Sequence, residues 1–361
     1  MTMPVHEGLE GVLVARTELS EVDGAAGRLC LRGHLVEALA GAQPFEAVVA
    51  LLQDGALPQA ARLAALGAEL GEARARAFDG LEPVFEALRA PDAMTTLRTA
   101  LSTLPEQATP CDVLGMAAVA SAAWIRRAQG EPLLAPRSSL PHARDLLRML
   151  SGREVSDAEG GLLDVYLVTV AEHGFNASTF AARVAASTGA SLVAAVIAGV
   201  ATLSGPLHGG APGPVLDMLD AVGEASRARE FVRAELRAGR RIMGMGHRVY
   251  RVRDPRAFVL ERALRAHRAD AARSNRLALA RAVEAAAEDE LARKYPERAL
   301  RANVEFYTAL ILEAVGIPRA AFTAIFACAR AAGYAAHYAE QRRSGRLIRP
   351  SALYVGPRPS P

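Results

Sequence analysis

From Val184 to Leu216 the chain carries no Asp, Glu, Lys or Arg, and Leu192–Leu203 is nearly all apolar. Such a stretch has to leave water, either in a protein core or in a bilayer. A membrane-spanning helix needs about 20 consecutive apolar residues. Here the apolar core is shorter, is interrupted by Ser, Thr and Gly, and stops at Gly205-Pro206. The segment therefore reads as a helix buried on all sides in a large helical protein, and no membrane association is expected. A chain of 361 residues, 51% of them hydrophobic, can bury such a core as one large domain or two ordinary ones.

Helical periodicity runs through most of the remainder. It predicts helices over about 35–53, 58–69, 80–89, 91–103, 111–129, 140–150, 156–173, 176–187, 190–204, 212–237, 254–267, 270–294, 303–315 and 318–342. The breaks fall at Gly or Pro, as at Leu57-Pro58, Leu104-Pro105, Gly205-Pro206, Gly239 and Ile317-Pro318. Strand character is confined to the ends. Val12, Val14 and Thr17 sit in a β-branched stretch, Arg28–Arg32 alternates after a turn at Asp23-Gly24, and Leu347–Gly356 looks extended. No repeat of 20–50 residues is visible, which argues against a solenoid. The expected fold class is all-α, with short β segments near both termini.

Composition excludes several kinds of function. The 42 basic residues face 39 acidic ones, so no strong field for nucleic acid follows. All but Lys294 of the basic residues are arginine, which suits planar recognition of carboxylate and phosphate. Cys30, Cys111 and Cys328 lie too far apart for a disulfide scaffold or a clustered-cysteine metal site, and fit a reducing cytoplasm. The start, MTMPVHEGLEG, lacks the basic and apolar regions of a signal peptide.

The histidines divide into two sets. His6, His34, His142, His267 and His337 sit among charged or periodic residues and read as structural or solvated. The other three lie in loops rich in glycine, where a ligand can approach the backbone closely. His173 is in Glu172-His173-Gly174-Phe175-Asn176, His208 is in Gly205-Pro206-Leu207-His208-Gly209-Gly210, and His247 is in Gly244-Met245-Gly246-His247-Arg248. Each stands alone on its own segment with no HExxH-type pair, so no metal site is expected.

Arginines and one acid complete the candidates. Arg256 follows Asp254-Pro255, and Arg349 precedes Pro350. Arg330 lies in FTAIFACAR, an apolar helix face, so its charge must find an anion: either an internal carboxylate or a ligand. Asn303 is a candidate N-cap, which would place Glu305 in the first turn of a helix. On helix physics alone Glu305 complements the helix dipole.

Taken together, these segments resemble the citrate synthase family. GLEGVLVARTELSEVDGAAGRLCLRGH is similar to its N-terminal strands. EHGFNAST, GPLHGGA, GMGHRVYRVRDPRA, NVEFYTALILEAVGIP and FTAIFACARAAGYAAHYAEQ…RLIRP follow in family order with near-family spacing. The resemblance implies roles position by position. His208 would stabilise the enol of acetyl-CoA, His247 would polarise the oxaloacetate carbonyl and give it a proton, and Glu305 would remove the methyl proton. His173, Arg256, Arg330 and Arg349 would hold the oxaloacetate carboxylates along with His247, with Arg349 crossing to the partner of a homodimer. Gly244, Gly246 and Arg251 would meet CoA, while Arg248 and Arg253 are either phosphate contacts or solvated neighbours. Acetyl-CoA is then a substrate, and no separate cofactor is implied.

The chemistry suits these residue types. A thioester α-proton is weakly acidic, so a carboxylate can take it only where the forming enol is stabilised at once. Clustered arginines bind carboxylates bidentately. Water has to stay out until the carbon–carbon bond has formed, so the resemblance implies a small mobile domain, residues 210–316, closing over a large one built from 1–209 and 317–361. Two positions depart from the family pattern. Glu305 stands where aspartate is common, a reach longer by on the order of 1 Å, and Pro212 follows Ala211 where the family often has PLHGGAN. Citrate synthase is thus the expected activity. Use of propionyl-CoA (2-methylcitrate synthase) and a weakly active or non-catalytic acyl-CoA-binding paralogue are the alternatives.

Overall fold

The computed structural model describes residues 5–9, 11–85, 91–209, 212–267 and 271–357. Gly210, Ala211 and the expected domain boundary at 210 lie outside these residues, as do 86–89 of the helix expected over 80–89 and residue 270 of that over 270–294.

Three antiparallel strands, β1 (Ser20–Asp23), β2 (Arg28–Leu31) and β3 (His34–Leu35), form a small sheet in chain order. The expected turn at Asp23-Gly24 joins the first two, with Ser20 opposite Leu31 and Asp23 opposite Arg28. Fifteen helices follow among the described residues. They are α1 (Val36–Leu39), α2 (Phe45–Asp54), α3 (Ala60–Phe85), α4 (Ala93–Ser102) and α5 (Pro110–Ala128). Next come α6 (His142–Ser151), α7 (Asp157–Val170), α8 (Ala177–Ser187), α9 (Leu192–Leu203) and α10 (Pro212–Val222). The last five are α11 (Ala228–Arg237), α12 (Pro255–Ala266), α13 (Ala271–Lys294), α14 (Val304–Ala314) and α15 (Phe322–Ser344).

Side chains at the helix starts explain many of the boundaries. Thr109 with Asp112 and Ser156 with Glu159 form capping boxes on α5 and α7. Asn176, Ser191, Asp254 and Asn303 cap α8, α9, α12 and α14. The buried α15 is the hub of one packing group, touching α2, α4, α5, α7, α8 and α9. The helices α10 to α14 form a second group, and α12 and α14 lean on α7. Among the described residues no helix is long and apolar enough to cross a membrane.

Several expected elements differ. The helices expected over 58–69 and 80–89 are parts of α3, which runs through Gly67, Gly71 and Gly80 because the Ala, Glu and Arg residues between them favour helix. That expected over 35–53 is broken between Ala40 and Pro44, and that over 212–237 at Gly223. Val12–Thr17 is not a strand; it has no ladder partner, and Leu13 is 96% exposed. The extended tail from Leu347 to Gly356 likewise pairs with no strand of this chain. The charge-free helix α9 is buried along most of its surface but exposes Ala194 and Ala201, so one narrow face of small residues looks outward.

Candidate active site

Three loops, the starts of α12 and α14 and one face of α15 meet where the packing groups adjoin. The first loop follows α7 and carries His173. Its backbone is tied to the sheet: Ser20 Oγ accepts from the Gly174 N–H (3.0 Å) and donates to Glu172 (2.8 Å). The buried Glu172 also meets His337 (3.0 Å), whose other ring nitrogen meets Arg183 (3.0 Å). His337 is therefore structural, as expected, but it and Glu172 brace the loop that presents His173.

The second loop, after α9, carries His208. Its Nε2 lies 2.7 Å from Ser178 Oγ at the start of α8. Ser178 Oγ also lies 2.7 Å from Asn176 Oδ1, which accepts from the Thr179 N–H as well (3.0 Å). When the serine proton turns to Nε2, the ring proton of a neutral His208 sits on Nδ1.

The third loop, between α11 and α12, carries His247. Gly244 and Gly246 take φ of 73° and 87°, a region that favours glycine. With those kinks the loop lies against residues 301–303. The Gly246 N–H donates to the Arg301 carbonyl (2.7 Å), the Asn303 N–H to the Gly244 carbonyl (2.9 Å), and Asn303 Nδ2 to the Gly246 carbonyl (2.9 Å). This stitching sets His247 beside the N-terminus of α14, where Glu305 sits. As expected, Asn303 caps that helix, accepting from the Glu305 N–H at 3.1 Å. His247 Nδ1 accepts from the backbone N–H groups of Val249 (3.0 Å) and Tyr250 (3.1 Å). A nitrogen with two donors aimed at it carries no proton, so neutral His247 presents Nε2–H. The Arg251 N–H donates to the Gly24 carbonyl (2.8 Å), docking this loop on the β1–β2 turn.

The fourth element is the start of α12. Asp254 caps the helix, accepts from the Val304 N–H (3.2 Å) and grips Arg256 through both oxygens, at 3.0 and 2.7 Å. Arg256 is 3% exposed. Arg330, on α15 and 1% exposed, differs. Its Nε donates to the Val170 carbonyl (2.8 Å) and its guanidinium lies over the Phe326 ring (4.8 Å), but it forms no ion pair among the described residues. Of the two fates open to Arg330 in the sequence, the internal salt bridge is absent there.

These groups share one electrostatic environment. Burial, then Arg256 and Arg330, hold His173 well below the ordinary imidazole range, and His247 and His208 add to the effect. Burial brings His208 and His247 down to about 4, helped by Arg330 and Arg256 respectively. Burial pushes the Glu305 carboxyl up to about 7, with Asp254 assisting and Arg256 opposing. The ring centroids of His173 and His247 are 5.5 Å apart. Near neutral pH the site thus holds three uncharged imidazoles, a carboxyl close to its midpoint and two buried guanidinium groups. That set can move a proton from carbon, support an oxyanion and hold a small dianion.

Not every candidate joins the cluster. Arg349 is exposed on the C-terminal tail, and Arg251 is exposed beside the β1–β2 turn. Arg253 is committed to Glu284 (2.8 Å) and Glu261 (2.9 Å). Among the described residues no group of three or more His, Cys, Asp and Glu side chains is placed to hold a metal. Sequence reasoning missed Ser178, Tyr250 and the clamp by Asp254. Only the last had a visible signal, an Asp-Pro pair opening a helix.

Several known proteins are similar to this chain. Residues 8–351 match the family model described as citrate synthase, C-terminal domain. A Mycobacterium tuberculosis protein provisionally named citrate synthase 2 is 41% identical over 360 residues, 98% of this chain and 93% of that one. Citrate synthase of Haloferax volcanii is 38% identical over 376 residues (99% and 97%). The 2-methylcitrate synthase of M. tuberculosis is 36% identical over 368 residues (98% and 91%). The crystal structure of citrate synthase from Thermotoga maritima superposes with a TM-score of 0.87 at 33% identity, covering 98% of this chain and 96% of that one. Citrate synthase from Thermoplasma acidophilum, in ternary complex with carboxymethyl coenzyme A and oxaloacetate, gives a TM-score of 0.87 at 26% identity (99% and 98%).

Proposed function

The chain belongs to the citrate synthase family, and we propose that it condenses acetyl-CoA with oxaloacetate and water to give citrate and CoA. Glu305 takes a methyl proton from the thioester. The Nδ1–H of His208 supports the enol oxygen, so charge is stabilised as it develops. The methyl carbon then bonds the oxaloacetate carbonyl carbon, whose oxygen takes a proton from the Nε2–H of His247. Water finally hydrolyses the thioester and frees the CoA thiol. His173, Arg256 and Arg330 hold the two carboxylates, with Arg349 supplied by a second copy of the chain. Residues 210–316 act as the closing domain, and CoA lies along Gly244, Gly246 and Arg251.

The observation that carries this reading is the proton position fixed on His247 beside Glu305. His247 has its Nδ1 filled by two backbone donors and so offers a donor, not a base, beside a Glu305 carboxyl raised to about 7. The dimer is supported by the exposed apolar side chains of the tail, Leu347, Leu353, Tyr354 and Val355. Purified protein should release free thiol from acetyl-CoA only when oxaloacetate is present. Absence of that release with both acetyl-CoA and propionyl-CoA would leave a non-catalytic binding protein.

A second reading, 2-methylcitrate synthase, is favoured by the 36% identity to such an enzyme. One methylene in an apolar pocket is worth about 1–3 kcal/mol, so the ratio of kcat/KM for the two thioesters decides between them. We expect acetyl-CoA to be preferred.

The pH profile has a definite sign. Glu305 works as a base only when ionised, so kcat/KM for acetyl-CoA should fall about tenfold per pH unit below about 7 and level off above about 8. The histidines stay neutral down to about 4 and add no limb in between. A midpoint near 5 would remove Glu305 as the base.

A further inference from the structure

Tyr250 touches both histidines of the loop junction with different atoms. Its backbone N–H donates to His247 Nδ1 at 3.1 Å, while its hydroxyl lies 3.1 Å from His173 Nε2. The residue is 1% exposed, with its ring centroid 5.6 Å from that of His173 and 4.7 Å from that of His247. Among the described residues, Nε2 of His173 is the one hydrogen-bond partner of the hydroxyl.

The direction of that bond follows from where protons can go. Burial pushes the Tyr250 phenol far above its ordinary range, so it keeps its proton at any working pH. His173 is neutral, with one bare nitrogen. Were Nε2 to carry the ring proton, the hydroxyl would have to accept it. Its own buried O–H would then lack an acceptor, which is costly. Both groups are satisfied when Tyr250 donates to Nε2 and the ring proton sits on Nδ1. The neighbouring His247 receives the opposite tautomer from backbone donors.

We propose that Tyr250 is a positioning residue whose hydroxyl locks His173 as the Nδ1–H tautomer, and so decides which edge of that ring donates to a substrate carboxylate. Its consequence for substrate rests on the reading of His173 as an oxaloacetate ligand; the tautomer does not. A phenylalanine at 250 keeps the ring and the backbone donor and removes only the hydroxyl.

The test uses the full chain labelled with 15N-histidine, wild type and Tyr250→Phe, with the His173 signals assigned through His173→Gln. Long-range 15N–1H spectra should show His173 as Nδ1–H in the wild type and as Nε2–H or a mixture in the variant, with His247 unchanged as Nε2–H. The KM for oxaloacetate should rise about tenfold, and kcat should stay within about threefold, as for a lost interaction made equally in ground and transition states. A wild-type His173 carrying its proton on Nε2, or a tautomer unmoved by the substitution, would overturn the proposal. A tautomer that moves while KM does not would overturn its substrate half and count against His173 as a ligand, leaving the condensation reaction itself to the thiol assay.

Discussion

Replacing Glu305 by glutamine is expected to lower kcat by about 10³-fold while KM for oxaloacetate stays within about threefold. The amide matches the carboxylate in size but cannot take a proton from carbon. The local fold should survive the change, because the helix cap from Asn303 is made to the Glu305 backbone N–H, which glutamine keeps. The proposed mechanism needs this acid weakly basic yet available: burial lifts it, and the nearby Arg256 keeps it from rising further. Shortening it tests the reach. Glu305→Asp should lower kcat by about 10²-fold, since withdrawing the carboxylate by on the order of 1 Å misaligns the proton transfer. That loss would mark a site built around glutamate, with the stitched loop at 244–246 placing α14 accordingly. A large gain would mean that the longer acid is an impediment and that the natural enzyme is slow. Exchange of the acetyl methyl protons with deuterated solvent separates the proton-transfer step from the later ones, and it should fall in parallel with kcat.

How far these residues could be read beforehand depends on the range of the forces that place them. Asn303 as a cap, Glu305 in a first turn and the glycines around His247 are local features, set by hydrogen bonds and dihedral preferences within a few residues. They appear in the structure where the sequence puts them. The helix boundaries at 58–89 and 212–237 were less legible, because a run of Ala, Glu and Arg carries helix through three glycines in α3, while a single glycine ends α10. The proton positions were not legible at all. His208 is paired with Ser178, 30 positions earlier, and His173 with Tyr250, 77 positions later. Pairing across such distances is a product of packing, and nothing in the composition or spacing of the intervening segments reports it. The same holds for the difference between the two buried arginines, one neutralised by a residue two positions away and the other left to a distant partner.

That difference leads to the second large effect, at Arg330. Arg256 already has Asp254 at 2.7 Å, so its charge is partly balanced within the chain. Arg330 is equally buried and, among the described residues, has a carbonyl and an aromatic face but no ion pair. Glu172 acts on it through space, but makes no ion pair with it; its Oε1 is engaged with His337 and Ser20, while its buried Oε2 has no hydrogen-bond partner among the described residues. Burial pulls the Arg330 guanidinium below its ordinary range, a sign that the folded chain holds the charge at a cost. A buried cation without a counter-ion destabilises a fold, whereas the same cation facing a dianion holds it tightly. Arg330→Met fills similar space without the charge. It should leave the melting temperature unchanged or higher and raise KM for oxaloacetate by at least about 10²-fold, because removing one partner of a desolvated pair costs about 3–5 kcal/mol. Arg330→Lys keeps the charge but not the planar fork, and should fall between. The direct measurement is thermal unfolding with and without oxaloacetate: binding to the native state raises the wild-type transition, and the methionine variant should not respond. A variant that melts several degrees lower and still responds to oxaloacetate would make Arg330 a structural residue and move the anion site elsewhere. With the predicted pattern, the instability stored at Arg330 becomes the means by which the empty site selects a doubly charged substrate.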